Sequence, residues 1–232
     1  MKDIKLKLQE LVSNFRKWLS ENYSPQNIEA LLFDDAGYPY WGEVEDFYYE
    51  LLDKDLIKNL DEEDQKNLLY LIARNWDCGR MIAWLSTGNQ LSNYGHLEVN
   101  DFINLSKTLS KLDEVEFDDA KSQFASSFKK IGSLTKEIEE ILLAFYNDKN
   151  EYTKRLALMT LGELGYADIK KLIKISWETV PEEHHKMGCL YIVHEVLNDG
   201  ELLNHYLNLA QNEQGENLKQ YISDVIKPKN CS

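Results

Sequence analysis

A histidine–glutamate pair, His194 and Glu195, is the part of the sequence that comes nearest to a catalytic motif. It begins the H-E-x-x-H signature of zinc proteases, but Asn198 stands where the second histidine is required. The sequence also lacks the glycine patterns of phosphate-binding loops and the G-x-S-x-G motif of serine hydrolases. We therefore expect a protein that is not an enzyme and that uses no cofactor.

Three other residues, His184, His185 and Cys189, could lie within two turns of one helix and offer ligands to a metal. A helix that is packed on one side and solvated on the other accounts for them equally well, so we predict no metal site. Together with Cys78 and Cys231, Cys189 belongs to a set of three widely spaced cysteines without a C-x-x-C pair. This usage is typical of reduced thiols in a cytoplasmic protein.

Carboxylates are concentrated in two short segments of the chain. Residues 34–64 contain twelve carboxylates against two lysines, a net charge of −10, and residues 113–119 contain five carboxylates and no basic residue. These segments account for the whole formal charge of −14 on 232 residues. Because phosphate binding depends on lysine and arginine, we expect neither a nucleic acid nor a membrane as the partner.

No apolar run approaches the roughly 18 residues of a membrane span, and the first residues do not resemble a secretion signal.

The stretch from Asp34 to Asp55 combines carboxylates with tyrosine and tryptophan, a mixture that is typical of a protein-recognition surface. On a helix that begins near Gly42, four of the carboxylates are spaced by 3, 4 and 3 residues and form one stripe. Like charges at this spacing repel each other, so a cationic partner would be favoured. The predicted contact residues of this stretch are Asp34, Asp35, Tyr38, Tyr40, Trp41, Glu43, Asp46, Tyr49, Glu50 and Asp53.

The second segment adds five predicted contact residues, which are Asp113, Glu114, Glu116, Asp118 and Asp119. The last two are also expected in the first turn of a helix, where the helix dipole favours negative charge. For both segments one alternative stays open, namely that the carboxylates form a solvated face that only keeps the protein in solution.

The elements that must position these residues are helices. The sequence has only four prolines and eleven glycines, and apolar residues recur at spacings of three and four in most windows. We therefore predict an all-α protein, in one elongated domain (1–232) with a possible seam between subdomains at 86–96. Helices are expected near 3–22, 25–34, from 43 onward, from 60 toward 76, and near 100–112, 118–130, 135–146, 151–164 and 168–178, with two or three more in 182–226.

The segment from Asn150 to Ile173 is the most informative about the fold. Its middle is apolar nearly all round, which is typical of a helix sandwiched between neighbours, and Gly162 and Gly165 are expected to end that helix. The segment resembles a HEAT repeat, and the residues that match the repeat pattern are Asp148, Arg155, Ala157, Leu161 and Gly162. Two weaker matches to the repeat pattern occur at 66–85 and 186–203. The resemblance implies an irregular α-solenoid of stacked antiparallel helix pairs with a broad binding surface.

In size, acidity and irregular HEAT-like repeats, the chain resembles the immunity proteins of bacterial contact-dependent and polymorphic toxin systems. The resemblance implies a protein that binds a cognate basic toxin domain and neutralises it. A nuclease is the suspected toxin, because the carboxylates could imitate nucleic-acid phosphates and cover a basic active-site cleft.

Two alternatives belong to other functional classes. One is a helical scaffold or adaptor protein, which would have several weaker partners. The other is a HEAT-like DNA glycosylase of the alkylation-repair type, since Asn75, Trp76 and Asp77 resemble one of the motifs of those enzymes. A glycosylase needs a basic stripe, whereas Arg74 and Arg80 are isolated, and we expect Trp76 to be a core residue between helices.

Overall fold

The structure is a computed structural model that describes residues 2–30, 36–86 and 99–226. These ranges are all-α, as predicted, and contain no β-strand. The chain divides into two compact units, unit 1 (Met1–Ile131) and unit 2 (Gly132–Ser232). The division thus falls after Ile131, whereas most of the seam predicted at 86–96 lies outside the described residues.

Unit 1 contains α1 (Lys2–Asn22), α2 (Pro25–Ala30), α3 (Trp41–Asp53), α4 (Glu62–Arg74), α5 (Cys78–Ser86), α6 (Val99–Leu109) and α7 (Asp118–Ser127). Short 3-10 turns occur at Ile57–Asn59, Val115–Phe117 and Phe128–Ile131. Unit 2 contains α8 (Lys136–Tyr146), α9 (Glu151–Glu163), α10 (Ile169–Thr179), α11 (Glu183–Tyr191) with a π-helical turn at Ile192–Val196, α12 (Gly200–Ala210) and α13 (Glu216–Ile226). The predicted helices are present, with described ends within a few residues of the predicted ones, and the predicted end of α2 near residue 34 lies outside the described residues. Helix α5 was not predicted. None of the described helices has the length and hydrophobicity needed to cross a membrane.

The core of unit 1 forms where α1 packs on α4 and where α4 also contacts α5, α6 and α7. Phe15 of α1 is fully buried, and the rings of Tyr38, Trp41 and Tyr70 surround it. The apolar residues of α3 recur at spacings of three and four, which predicts one inward face, and their side chains are buried as expected: Val44, Phe47, Tyr48 and Leu51. This packing fixes the rotation of α3 and therefore decides which of its residues face solvent.

In unit 2, α9 packs against α8, α10 and α11. This packing confirms the sandwiched helix that the apolar sequence of α9 predicts. Helices adjacent in sequence therefore contact each other, as the two helices of a HEAT repeat do. The stacking of such pairs into a solenoid stays a prediction.

The two glycines near the end of α9 have different roles. Gly165 has φ +77°, and the N–H groups of Gly165 and Tyr166 donate to the carbonyl oxygens of Gly162 and Leu161 at 3.0 and 2.9 Å. Gly165 is thus the left-handed residue that ends the helix, as predicted. The same role predicted for Gly162 is wrong, because Gly162 is buried inside α9. A Cβ atom there would lie 2.8 Å from Cγ2 of Ile192, so this glycine permits close packing.

Gly162→Ala should therefore destabilise the protein, although alanine is normally the better helix former. We expect the free energy of unfolding to fall by about 1–3 kcal/mol, the usual cost of inserting a carbon into a packed core. The measurement is urea denaturation followed by far-UV circular dichroism. Gly42→Ala in the exposed first turn of α3 is the matched control, since a Cβ atom there meets nothing within 4 Å. Equal effects of the two substitutions would contradict the close packing at Gly162.

Candidate protein-binding surface

One side of α3 carries a stripe of carboxylates, hereafter the acidic face, which consists of Glu43, Asp46, Glu50 and Asp53. On the other side of the helix Val44, Phe47 and Leu51 are buried. Three members of the stripe are exposed and Glu50 is partly exposed. Burial of the apolar side therefore turns the predicted stripe toward solvent.

Within the acidic face, only Glu50 has an ion pair with another described residue. Lys54 Nζ donates to Glu50 Oε1 at 2.6 Å, and this hydrogen bond raises the pKa of the lysine. Glu43, Asp46 and Asp53 form no ion pair with the residues that the structure describes. Their carboxylates are therefore available to an approaching cation.

Other carboxylates of the first acidic segment are used inside unit 1. The ion pairs are Asp61–Lys5 (2.5 Å), Asp64–Lys5 (2.6 Å), Glu45–Arg80 (2.7 Å), Glu62–Lys111 (3.3 Å) and Asp55–Lys58. Several of these pairs join helices that are distant in sequence, so they contribute to the fold. Among the described carboxylates of this segment, Glu43, Asp46 and Asp53 of the acidic face and Glu63 are the ones without an ion pair to another described residue.

The second acidic segment lies against other elements of unit 1. Its 3-10 turn, Val115–Phe117, packs on α4 and α7. Lys66 Nζ donates to Glu114 Oε1 at 2.7 Å, which lowers the pKa of Glu114. Asp113 is exposed and Glu116 is partly buried. One of the predicted contact residues is therefore already neutralised by a lysine of the protein itself.

Asp118 and Asp119 occupy the first turn of α7, as predicted. Asp118 Oδ1 lies 4.0 Å from Nζ of Lys121, whose side chain is buried. The helix dipole gives both aspartates a structural role in the first turn, and Asp118 also lies near this ammonium group. Burial raises the pKa of Asp119. Their use as contact residues stays a prediction.

The prediction that Tyr38 and Trp41 are surface anchors is wrong, because both side chains are buried. Each ring lies 5.0 Å from that of Phe15, centroid to centroid, and 5.3 Å from the other. Burial of the two rings in this aromatic cluster stabilises the fold, because it removes their apolar area from solvent. Trp41 therefore helps to hold the start of α3.

The other two aromatic residues predicted as anchors reach the surface. Tyr40 is 53% exposed, and Tyr49 is partly exposed, with its ring 4.5 Å from that of Trp84. Asp34 and Asp35, also predicted as contacts, lie outside the described residues.

Trp76 departs most from its prediction, because it is 56% exposed instead of belonging to the core. Asn75 Oδ1 accepts from the N–H of Asp77 at 2.8 Å, and Asp77 Oδ1 accepts from the N–H of Arg80 at 3.1 Å. These bonds form the turn between α4 and α5, and the indole lies outside that turn. Asparagine and aspartate just before a helix favour such caps, so this signal was present in the sequence.

Arg80 contacts two tryptophan rings and pairs with Glu45 of α3. Its guanidinium carbon is 5.1 Å from the centroid of Trp76 and 5.3 Å from that of Trp84. Its nitrogens are 2.7 Å from Glu45 and 3.3 Å from Asp77. We call Trp76, Arg80 and Trp84 the Trp76 corner. Tryptophan and arginine held in this way are the residue types that dominate binding energy at protein interfaces.

The histidine-rich helix of unit 2 does not gather metal ligands. His184 is exposed and His185 is buried, with its Nδ1 3.2 Å from Glu151 Oε1. Burial opposes ionisation of Glu151, but His185 and Arg155 outweigh it and lower the pKa of that carboxyl. Across the described ranges, no group of three or more histidine, cysteine or acidic side chains is placed to hold a metal.

No protein-family model matches this chain, and no curated protein or solved structure is significantly similar to it. Its function is therefore inferred from the chemistry of the surfaces described above.

Proposed function

We propose that this chain is an immunity protein that binds a cognate basic toxin domain through the acidic face of α3 and so neutralises the toxin. The observation that supports it most strongly is the presence of Glu43, Asp46 and Asp53 on one helix face without an ion pair to another described residue. Like charges so close together favour a cationic partner, which would relieve their repulsion.

The surroundings of the acidic face also suit protein recognition. The Trp76 corner is connected to α3 through the Glu45–Arg80 ion pair and the Tyr49–Trp84 contact. A charged face steers the partner, and aromatic side chains at its border supply contact area that excludes water. A nuclease suits this surface because its active-site cleft carries the positive charge that binds phosphates.

The glycosylase alternative draws less support from the same residues. Arg80, which a DNA-binding surface would need for phosphates, is already bound to Glu45 and Asp77. The ring of Trp76 lies against that arginine, whose guanidinium is held by the two carboxylates. Such surroundings repel a phosphodiester backbone.

Neutralising Glu43→Gln, Asp46→Asn and Asp53→Asn together should slow association with the partner about ten-fold or more at low salt, because electrostatic steering is lost. The partner is the basic protein that co-purifies with the tagged chain, and stopped-flow or biolayer kinetics give the rate. For the wild-type protein we expect a one-to-one complex with nanomolar affinity and an association rate that falls steeply with added salt.

The matched control neutralises three exposed acidic residues of unit 2 (Glu137→Gln, Glu140→Gln and Glu201→Gln), which changes the net charge by the same amount. Equal slowing by both triple variants would assign the effect to overall charge and remove the acidic face from the proposal. Recovery of several weakly bound proteins instead of one basic protein would favour the adaptor alternative.

A further inference from the structure

A groove with a volume of about 310 Å³ lies between α1 and the start of α3. Three aromatic side chains, Trp18, Tyr38 and Tyr40, contribute to its walls, and Glu21 and Glu43 are the carboxylates that line it. Asn14 and Lys17 complete the lining. Ligand sites in proteins span about 300–1,000 Å³, so this groove suits one extended side chain better than a large cofactor.

The aromatic rings of the groove stand nearly perpendicular to one another. The centroids of Trp18 and Tyr38 are 5.3 Å apart with an interplanar angle of 65°, and those of Tyr38 and Tyr40 are 5.5 Å apart with an angle of 71°. Tyr38 is buried against the other two rings, so the aromatic surface that a ligand can reach belongs to Trp18 and Tyr40. The faces of aromatic rings attract cations.

The groove is held in shape by neighbouring aromatic residues. Tyr38 packs edge-on against Phe15, with ring centroids 5.0 Å apart. Tyr23 supports the other side, because its ring lies 5.6 Å from that of Trp18 and its hydroxyl donates to the carbonyl oxygen of Ala36 at 2.8 Å. A cation entering the groove would therefore meet walls that are already formed, which lowers the entropic cost of binding.

The charges around the groove favour a cation. Glu43 has no ion pair with another described residue, and Glu21 is 3.8 Å from Lys17 Nζ across an exposed part of α1. Burial and the nearby charge of Glu43 raise the pKa of Tyr38. The groove is therefore lined by two carboxylates and by one ammonium group, that of Lys17, so its net charge is negative.

We propose that this groove receives a single arginine or lysine side chain from the basic partner. The inference rests on the proposed function, since the partner supplies the cation, and Glu43 connects the groove to the acidic face. The bound cation would lie against the exposed ring of Tyr40 and pair with Glu43. The groove therefore contributes a specific anchor beside a surface that otherwise acts through its charge.

The first experiment uses the isolated chain, so that its result does not depend on the partner. N-acetyl-arginine methylamide is titrated into the protein and followed by NMR, with the neutral citrulline analogue as the matched probe. We expect saturable binding of the arginine probe in the millimolar range and at least five-fold weaker binding of the citrulline probe, because only the guanidinium is charged. Equal binding of the two probes, or no saturable binding, would overturn the proposal.

Three variants define the site more closely. Tyr40→Ala and Glu43→Gln should each weaken binding of the arginine probe several-fold. Lys17→Gln should strengthen binding of the arginine probe, because the ammonium group that competes with the probe is removed. A groove with only a structural role would show no such increase in affinity. Tyr152→Ala is the control, since that tyrosine of unit 2 is 45% exposed and lies outside the groove.

The second experiment uses the complex with the basic partner. Tyr40→Ala should raise the dissociation constant about ten-fold, mainly through faster dissociation, as expected for an anchor residue. An unchanged dissociation constant would overturn the assignment of the groove to the partner and leave the proposed function intact. If no basic partner is recovered, the proposed function fails, whereas the arginine and citrulline probes still decide whether the groove binds a guanidinium.

Discussion

Replacing Phe15 by alanine is expected to lower the free energy of unfolding of unit 1 by about 3–5 kcal/mol, the range found for phenylalanine truncations in packed cores. Phe15 is fully buried. Its ring centroid lies 5.0 Å from those of Tyr38 and Trp41 and 5.9 Å from that of Tyr70. Removal of the ring leaves a cavity among three aromatic neighbours that cannot all move to fill it.

Urea denaturation followed by tryptophan fluorescence measures this effect. Four of the five tryptophans lie in unit 1, so the signal reports chiefly on that unit. Leu6→Ala in the same helix is the control, because Leu6 is 53% exposed and such surface changes usually stay within about 0.5 kcal/mol. A Phe15→Ala effect as small as that of the control would show that the aromatic cluster is not the centre of the core.

The second large effect is expected for Lys5→Met. Lys5 Nζ lies 2.6 Å from Asp64 Oδ2 and 2.5 Å from Asp61 Oδ2, and the side chain of Asp64 is only 3% exposed. Without the ammonium group, Asp64 becomes a buried carboxylate without an ion pair among the described residues. We expect the free energy of unfolding to fall well beyond the effect of a surface substitution, because a buried carboxylate loses its partner.

Two further variants test this interpretation. Asp64→Asn in the Lys5→Met background should recover part of the lost stability, because the buried charge is gone. Lys7→Met is the matched control, since Lys7 is more exposed and lies 3.6 Å from an exposed partner, Glu10. Additive effects of Lys5→Met and Asp64→Asn would contradict the importance of the buried pair.

The same interaction predicts a dependence on pH. The hydrogen bond from Lys5 lowers the pKa of Asp61 below its usual value. A carboxyl whose pKa is lowered by folding stabilises the protein above its unfolded pKa, and this contribution is lost as the pH falls through the folded pKa. The stability difference between wild type and Lys5→Met should therefore be largest near neutral pH and shrink below about pH 4. Denaturation curves recorded at several pH values measure this difference.

Local sequence spacing predicted most of the secondary structure. Apolar residues at intervals of three and four identified the helices, and the same periodicity placed Val44, Phe47 and Leu51 inside and the acidic face outside. This succeeds because the rotation per residue of a helix is fixed, so spacing along the chain determines which side chains share a face. The glycine that ends α9 was also predicted, since only the backbone of Gly165 itself has to adopt a positive φ.

Tertiary structure decided which carboxylates are open to a partner and which aromatic residues are buried. Lys5 and Asp64 are far apart in sequence, as are Lys66 and Glu114, and no local pattern shows that they meet. Tyr38 became a core residue because the ring of Phe15 packs against it. These outcomes depend on contacts between helices, whereas periodicity describes one helix at a time. The sequence by itself therefore determined most of the helices, the concentration of negative charge and the stripe that became the acidic face, and only the folded structure determined which carboxylates are paired, the groove and the Trp76 corner.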